Sequence, residues 1–159
     1  MVACPARIDV GTKRLAGSLE YIPSTTNSTP TTLTCTPAAH PGQVPFPENC
    51  ARCPVTTRLL KALPRSYQHA FFSALTPGTH IIKHHGPTNK KLRIHLPLVG
   101  AAGSELRVAD QHVRNKEGEC MVFDDSFEHE AWHNGVDTRV VLVFDVWHPD
   151  LSDREVHWG

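Results

Sequence analysis

The sequence has no long hydrophobic run and no excess of charge of either sign. Its 159 residues include 16 basic and 16 acidic side chains, so the formal net charge is zero. A protein that binds nucleic acid or an anionic membrane surface carries a basic patch, which this balanced sequence lacks. No segment approaches the roughly 20 apolar residues that cross a bilayer, and the opening residues lack the apolar centre of a signal peptide. We therefore expect a cytoplasmic protein without nucleic-acid or membrane partners.

Cysteine is scarce, and its number is odd. Five cysteines cannot all pair with one another, which is typical of reduced thiols rather than of a disulfide framework. Cys50 and Cys53 form a CxxC motif, but no second pair of residues stands at the spacing that a zinc site requires. We interpret these two thiols as ordinary loop cysteines, with a local disulfide or a redox role as the alternatives.

The length is sufficient for one domain with a buried core. Residues 1–48 include a stretch rich in Thr and Pro without helical or strand periodicity, which predicts an irregular N-terminal arm. Residues 49–159 form the predicted domain. Within it, the segment 56–63 places three leucines on one face and is followed by Pro64, so we expect a short helix capped by a threonine.

Beyond residue 66, alternating apolar and polar residues predict a series of short strands. Gly, Pro and Asn-Gly pairs separate these strands and favour tight turns. Because no helical pattern lies between them, we expect an all-β fold, either an antiparallel sandwich or a jelly roll. The predicted strands are 68–76, 79–85, 92–99, 104–110, 120–125, 127–133 and 138–147.

Histidine is unusually frequent, with ten of the eleven residues lying between positions 69 and 157. Histidine is the commonest metal ligand in proteins, so this clustering indicates a metal site. Strand alternation turns His84, Arg93, His95 and His129 toward the interior, where polar groups need partners. A metal ion together with an anionic ligand would satisfy all four. The predicted apolar neighbours on this inner face are Ile82, Phe127 and Ala131.

Two long segments resemble the aspartyl/asparaginyl β-hydroxylase family. They read FFSALTPGTHIIKHHGPTNKKLRIHLPL (71–98) and MVFDDSFEHEAWHNGVDTRVVLVFDVWHPDL (121–151). The resemblance implies a double-stranded β-helix, which is a cupin-like jelly roll. It also implies an oxidoreductase that depends on Fe(II) and uses 2-oxoglutarate as cosubstrate.

The resemblance further implies that His84 and His129 are the catalytic iron ligands. Most oxygenases of this type add a carboxylate ligand, but the family lacks it, and a water molecule is expected in its place. The two-residue period of a strand puts His84 and the adjacent His85 on opposite faces, which favours His84 as the ligand. Asp125, four residues before His129, is expected to orient a metal-bound water or a ligand N–H from the outer coordination sphere.

Four residues correspond to the cosubstrate-binding positions of the family. Arg93 and His95 match the pair that holds the C1 carboxylate region of 2-oxoglutarate, and Ser73 and Arg139 match the pair that binds its distal carboxylate. Arginine suits this role because its planar guanidinium contacts a carboxylate through two parallel hydrogen bonds. A structural ion pair is the alternative role for Arg139.

The sequence therefore predicts a dioxygenase that hydroxylates an unactivated C–H bond of an Asp- or Asn-like amino acid or peptide. Dioxygen is consumed, and succinate and CO2 are released. One alternative is a small-metabolite oxygenase that performs oxidative cyclisation or desaturation. Others are a cupin-like metalloenzyme that does not use 2-oxoglutarate, and a binding module without activity. The sequence contains no information on the oligomeric state.

Overall fold

Two antiparallel sheets form the protein, as described by a computed structural model for residues 31–34 and 47–156. The strands are β1 (Thr31–Thr34), β2 (Ser66–Leu75), β3 (Thr79–His84), β4 (Lys91–Val99), β5 (Ser104–Val108), β6 (Gln111–Arg114), β7 (Met121–Phe123), β8 (His129–His133) and β9 (Arg139–Trp147). The helices are α1 (Pro47–Arg52), α2 (Pro54–Ala62) and α3 (Asp153–Val156). The strand orders are β1-β2-β9-β4-β7 and β3-β8-β5-β6. The predicted cupin-like jelly roll is confirmed.

The two faces of the five-stranded sheet serve different purposes, because successive residues of β9 point to opposite sides. Leu142 and Phe144 point outward and are buried beneath α2, where they pack with Leu60 of that helix. Val141 and Val143 point inward, toward the four-stranded sheet, and are also buried. The helix therefore covers one face with apolar contacts, and the inner face is left to carry polar side chains.

The predicted helix is present, but it begins earlier than expected. It starts at Pro54, and its N-cap residue is Cys53, which makes no side-chain capping hydrogen bond. Proline suits the first position of a helix because its missing N–H is not needed there. The helices α1 and α3 have six and four residues, which is too short for the hydrophobic periodicity that would have predicted them.

A bulge in β3 determines which of its residues face the interior. Ile81 lies opposite Ala131 of β8 and His84 lies opposite His129, with a register shift between the two pairs. The extra residue interrupts the alternation, so the side chain of Ile82 is 72% exposed instead of facing inward. The prediction for Ile82 was wrong because a strict period of two cannot anticipate a bulge.

The predicted strand 127–133 is shorter than expected at its N-terminal end, because β8 begins only at His129. Phe127 precedes it in a turn and is 57% exposed, so the prediction that it faces inward was also wrong. Glu130 is buried. Its carboxylate accepts a hydrogen bond from Arg107 Nε at 2.6 Å and is bonded to His80 Nε2 at 2.9 Å.

Part of the predicted N-terminal arm is a strand. β1 pairs with β2 at the edge of the five-stranded sheet, from Thr31 opposite Ala74 to Thr34 opposite Phe71. The other residues of the predicted arm before position 47 lie outside the described residues. No helix in the described part of the chain has the length and apolar character needed to cross a membrane.

Candidate active site

His84 and His129 meet where β3 and β8 pair. They lie opposite each other in the register of the two strands, and their ring centroids are 4.1 Å apart with the planes tilted by 53°. The bulge in β3 makes this pairing possible, because it brings His84 onto the inner side after the exposed Ile82. His129 is buried and His84 is exposed, so the pair lies at an opening of the interior.

The same backbone contact holds each of these two imidazoles. His84 Nδ1 donates to the carbonyl of Ile82 at 2.8 Å, and His129 Nδ1 donates to the carbonyl of Phe127, also at 2.8 Å. A carbonyl oxygen only accepts hydrogen bonds, so both rings carry their proton on Nδ1. The lone pair of each Nε2 is thereby available to a metal ion, which is the usual arrangement of histidine ligands.

Burial lowers the pKa of His129, and the neighbouring His84 lowers it further, although the Phe127 carbonyl acts in the opposite direction. A lowered pKa favours the neutral imidazole that metals require. No group of three or more His, Cys, Asp or Glu side chains suited to a metal occurs within 31–34 or 47–156. Two imidazoles whose Nε2 atoms are available suit a divalent transition metal such as iron.

His85 lies outside this pair. Its Nδ1 donates to the carbonyl of Ser126 at 3.1 Å, and the residue is exposed. The next residue, Gly86, donates its N–H to the Asp125 carbonyl at 2.6 Å. A Cβ atom at Gly86 would overlap the Asp125 carboxylate, so only glycine fits at this position. The backbone after His84 is thus held close to Asp125.

Arg139 lies on the inner face, and part of its guanidinium has no partner among the described residues. The side chain is 2% exposed, and its Nε and Nη1 have no hydrogen-bond partner in the described part of the chain. Burial lowers the pKa of this guanidinium to about 10. Ser73 of β2 is also buried and lies two residues from Leu75, which pairs with Arg139 across the strands. The two side chains therefore share one face and leave donors available for an anion.

His95 connects this arginine with the histidine pair. Its Nδ1 is buried without a hydrogen-bond partner among the described residues. Burial lowers the pKa of His95 well below its usual value, and the charges of Arg139, Arg93 and His129 lower it further. These interactions require all three groups to lie near His95. The ring of Phe123 in β7 lies edge-on to the imidazoles of His95 and His129. The distances between ring centroids are 5.1 Å and 5.4 Å.

We expect the unfolding free energy of the metal-free protein to decrease as the pH falls below about 6.5. In the folded protein the pKa of His95 lies well below the usual histidine value of 6.5, so the unfolded chain takes up the proton first. One such histidine changes the unfolding free energy by at most about 1.4 kcal/mol per pH unit. Urea denaturation at about pH 7.5 and about pH 5.5 measures it. A His95→Gln variant should show a smaller decrease, and an equal decrease in both proteins would contradict the assignment.

Arg93 takes part in an ion cluster that sequence reasoning did not anticipate. Its Nε and Nη2 donate to the two carboxylate oxygens of Asp145 at 2.9 and 3.0 Å. Its Nη1 also lies 3.0 Å from Asp125 Oδ2. The guanidinium expected to contact a cosubstrate is therefore already paired with two carboxylates, and only its remaining N–H groups are available to a bound anion.

Lys91 completes this cluster and is nearly inaccessible, with 2% of its side chain exposed. Its Nζ lies 2.7 Å from Asp125 Oδ2 and 3.1 Å from Asp145 Oδ2. Lysine is almost never buried without a partner, and here two carboxylates share its charge. Sequence reasoning missed Lys91 and Asp145. Strand alternation could have identified both residues. It places positions 91, 93 and 95 of β4 on the inner face, together with position 145 of β9.

Asp125 lies between the ion cluster and the histidine pair. The residue is completely buried, and its Oδ2 receives both cations while its Oδ1 has no partner in the described residues. Its negative charge raises the pKa of His129, although burial of that imidazole has the larger, opposite effect. The unpaired Oδ1 can accept a hydrogen bond from a water or an N–H group in the pocket. These contacts suit the outer-sphere position predicted for Asp125.

A Lys91→Met substitution should lower the unfolding free energy by roughly 3–5 kcal/mol, because it leaves buried carboxylates without one of their two cations. Urea denaturation measures the change. Lys90→Met is the matched control, since Lys90 is exposed and its hydrogen bonds to Thr88 and His148 use only its backbone atoms. The control should change stability by less than about 0.5 kcal/mol. Similar effects of the two substitutions on the unfolding free energy would show that the ion pairs of Lys91 do not stabilise the fold.

The site can be compared with known proteins. A family model described as Aspartyl/Asparaginyl beta-hydroxylase matches residues 39–149. Aspartate beta-hydroxylase domain-containing protein 2 of Mus musculus is 43% identical over 117 residues, which are 69% of this chain and 34% of that protein. Aspartyl/asparaginyl beta-hydroxylase of Homo sapiens is 39% identical over 111 residues, which are 67% of this chain and 15% of that protein. The chain thus spans about a third or less of these relatives.

Among solved structures, a cupin domain of Cnp3 from Schizosaccharomyces pombe is similar with a TM-score of 0.43 and 12% identity. The similarity covers 50% of this chain and 56% of that one.

Proposed function

Because the chain belongs to the aspartyl/asparaginyl beta-hydroxylase family, we propose that it is an Fe(II)- and 2-oxoglutarate-dependent dioxygenase. Its proposed substrate is an Asp- or Asn-like amino acid or a peptide that contains one. The proposed products are the hydroxylated substrate, succinate and CO2. The observation that carries the proposal is the buried guanidinium of Arg139, whose Nε and Nη1 have no partner among the described residues.

An unpaired buried cation is unfavourable unless a ligand neutralises it. A dicarboxylate such as 2-oxoglutarate would supply the missing acceptors for Arg139, and the Ser73 hydroxyl would donate a further hydrogen bond. The other carboxylate end would then lie toward His95 and the remaining N–H groups of Arg93. A cupin-like metalloenzyme that works without this cosubstrate would leave the charge of Arg139 unexplained.

His84 and His129 would hold the ferrous ion through their Nε2 atoms. Their Nδ1 hydrogen bonds to Ile82 and Phe127 orient the rings before the metal arrives. When bound, iron and 2-oxoglutarate together supply the oxidising chemistry: one oxygen atom of dioxygen enters succinate and the other enters a substrate C–H bond. The protein's part is to position that bond and to limit access of water.

Asp125 would act as a positioning residue in this mechanism. Lys91 and Arg93 hold its Oδ2, which leaves Oδ1 to accept a hydrogen bond from water on the metal. The water would take the coordination position that a carboxylate ligand occupies in most such oxygenases. Because the two cations are themselves buried or half-buried, the direction of this carboxylate is fixed by the fold.

Succinate formation tests the proposed function. The protein is incubated with Fe(II), ascorbate and 2-oxoglutarate, with and without a panel of Asp- and Asn-containing peptides and free amino acids. We expect succinate above that of a chelated control, and an increase with a true substrate accompanied by a mass gain of one oxygen atom. A product that has lost two hydrogens instead would indicate cyclisation or desaturation. Absence of succinate under all conditions would exclude the proposed function.

A further inference from the structure

Cys50 lies in α1, and Cys53 is the single residue between α1 and α2, where a φ of −122° and a ψ of 60° make it the N-cap of α2. Cys53 donates its N–H to the carbonyl of Asn49 at 3.1 Å, and Thr57 donates its N–H to the carbonyl of Cys53 at 2.9 Å. The hydroxyl of Thr57 also donates to the carbonyl of Cys50 at 3.0 Å. The turn therefore continues from α1 into α2 through the two cysteines.

Helical geometry brings these cysteines within reach of each other. Residues three positions apart on an α-helix have Cα atoms about 5 Å apart, and disulfides join Cα atoms at about 4.4–6.8 Å. Burial raises the pKa of Cys53, and the neighbouring Cys50 raises it as well. Both residues are half-buried, so a small oxidant can reach them.

We propose that Cys50 and Cys53 are a redox-active dithiol that forms a reversible disulfide. Oxidation by a peroxide is a balanced reaction. One thiolate attacks the peroxide and becomes a sulfenic acid as the O–O bond breaks, which releases water when the oxidant is hydrogen peroxide. The second thiol then displaces a second water from the sulfenic acid, and the S–S bond forms. The two electrons that the thiols lose reduce one peroxide to two waters.

The surroundings favour the oxidised form. A strongly oxidising CxxC pair has a reduced form stabilised as thiolate. Here burial raises the pKa of Cys53, and Arg52 only partly opposes that effect. Burial thus disfavours the thiolate of Cys53, so the disulfide should persist until a dithiol reductant attacks it through a mixed disulfide.

The pair is separated from the candidate active site by the five-stranded sheet. Helix α2, which follows Cys53, packs through Leu60 on the outer face of that sheet, whereas His95 lies on the inner face. The proposal therefore does not depend on the proposed function. The expected consequence of oxidation is a firmer junction between α1 and α2, seen as a higher thermal midpoint.

Peptide mapping of the full chain tests the proposal. The reduced protein is treated with hydrogen peroxide, alkylated and digested with trypsin, which cleaves after Arg52. A disulfide then links the peptide that ends at Arg52 to the one that begins at Cys53. Because the first peptide also contains Cys35, the experiment uses a Cys35→Ser background. We expect the linked peptide at two hydrogens below the sum of the two masses, and its disappearance after dithiothreitol.

Three variants complete the test. Cys50→Ser and Cys53→Ser should each abolish the link, and Cys120→Ser should retain it. Full alkylation of both thiols after peroxide treatment would overturn the proposal, as would a link to Cys4 or an irreversible gain of two or three oxygens. If a serine variant does not fold, the Cys35→Ser parent alone decides the question. In buffers with varied ratios of oxidised to reduced dithiothreitol, the fraction of protein with the Cys50–Cys53 disulfide should follow one two-electron transition. A protein that shows no such transition would contradict the proposal.

Discussion

A His129→Ala variant is expected to bind ferrous iron at least about 100-fold more weakly than the unaltered protein and to form no succinate above the chelated control. The proposed site offers the metal two side-chain ligands, so the substitution removes half of them. His84→Ala should have a comparable effect. Equilibrium dialysis against Fe(II) under anaerobic conditions, or against Mn(II) as a stable substitute, measures binding without requiring turnover.

His85→Ala is the matched control for the metal site. His85 is adjacent to His84 and exposed, and its Nδ1 is bonded to the Ser126 carbonyl. We expect this variant to bind the metal normally. Loss of binding in His85→Ala with normal binding in His84→Ala would transfer the ligand role to His85. Normal binding in His84→Ala and His129→Ala would remove the metal assignment altogether.

Replacement of Arg139 by methionine should raise the 2-oxoglutarate concentration needed for half-maximal succinate formation by at least roughly 100-fold. A buried carboxylate that loses its cationic partner becomes less stable by about 2–5 kcal/mol. Metal binding should be unchanged, because Arg139 is not one of the proposed ligands. Titration of 2-oxoglutarate at saturating iron measures the effect. An unaltered requirement would count against the cosubstrate site.

The same substitution should stabilise the protein in the absence of 2-oxoglutarate. Arg139 is buried with two nitrogen atoms that have no partner in the described residues, and a buried polar group without a partner costs about 1–3 kcal/mol. A structural ion pair would give the opposite result, since its loss destabilises the fold. Arg114→Met is the control, because Arg114 is exposed on β6. This substitution should alter neither the 2-oxoglutarate requirement nor the unfolding free energy.

Much of the fold was predictable from local pattern. The strands from β2 onward were located approximately because apolar alternation and turn residues mark them. Their number left an antiparallel sandwich or a jelly roll, and the family resemblance implied the jelly roll. The short strand β6 was missed, since Ala109, which has a positive φ of 51°, separates it from β5 by a tight turn that the pattern did not show. The bulge at Ile82 was also missed, because an extra residue in one strand leaves no mark in the composition.

The predicted site residues all lie on inner faces or at the opening of the interior, but their partners were not predictable. The sequence separates Arg93 from Asp145 by 52 positions and Lys91 from Asp125 by 34. Which acid pairs with which base depends on the register of β4 against β9 and on the loop before β8. Arg93 is accordingly paired with carboxylates of the protein, whereas Arg139, of the same residue type, lacks such a partner in the described chain.

The sequence by itself determined the family, the class of fold and the residue types that a metal and dicarboxylate site requires, because these depend on motifs and short-range alternation. Only the tertiary structure decided that His84 faces His129 across a bulge, that Lys91 is buried between two carboxylates, and that Nε and Nη1 of Arg139 have no partner among the described residues. These outcomes depend on pairing between distant strands and on exclusion of water, and neither is a property of any local stretch of the chain.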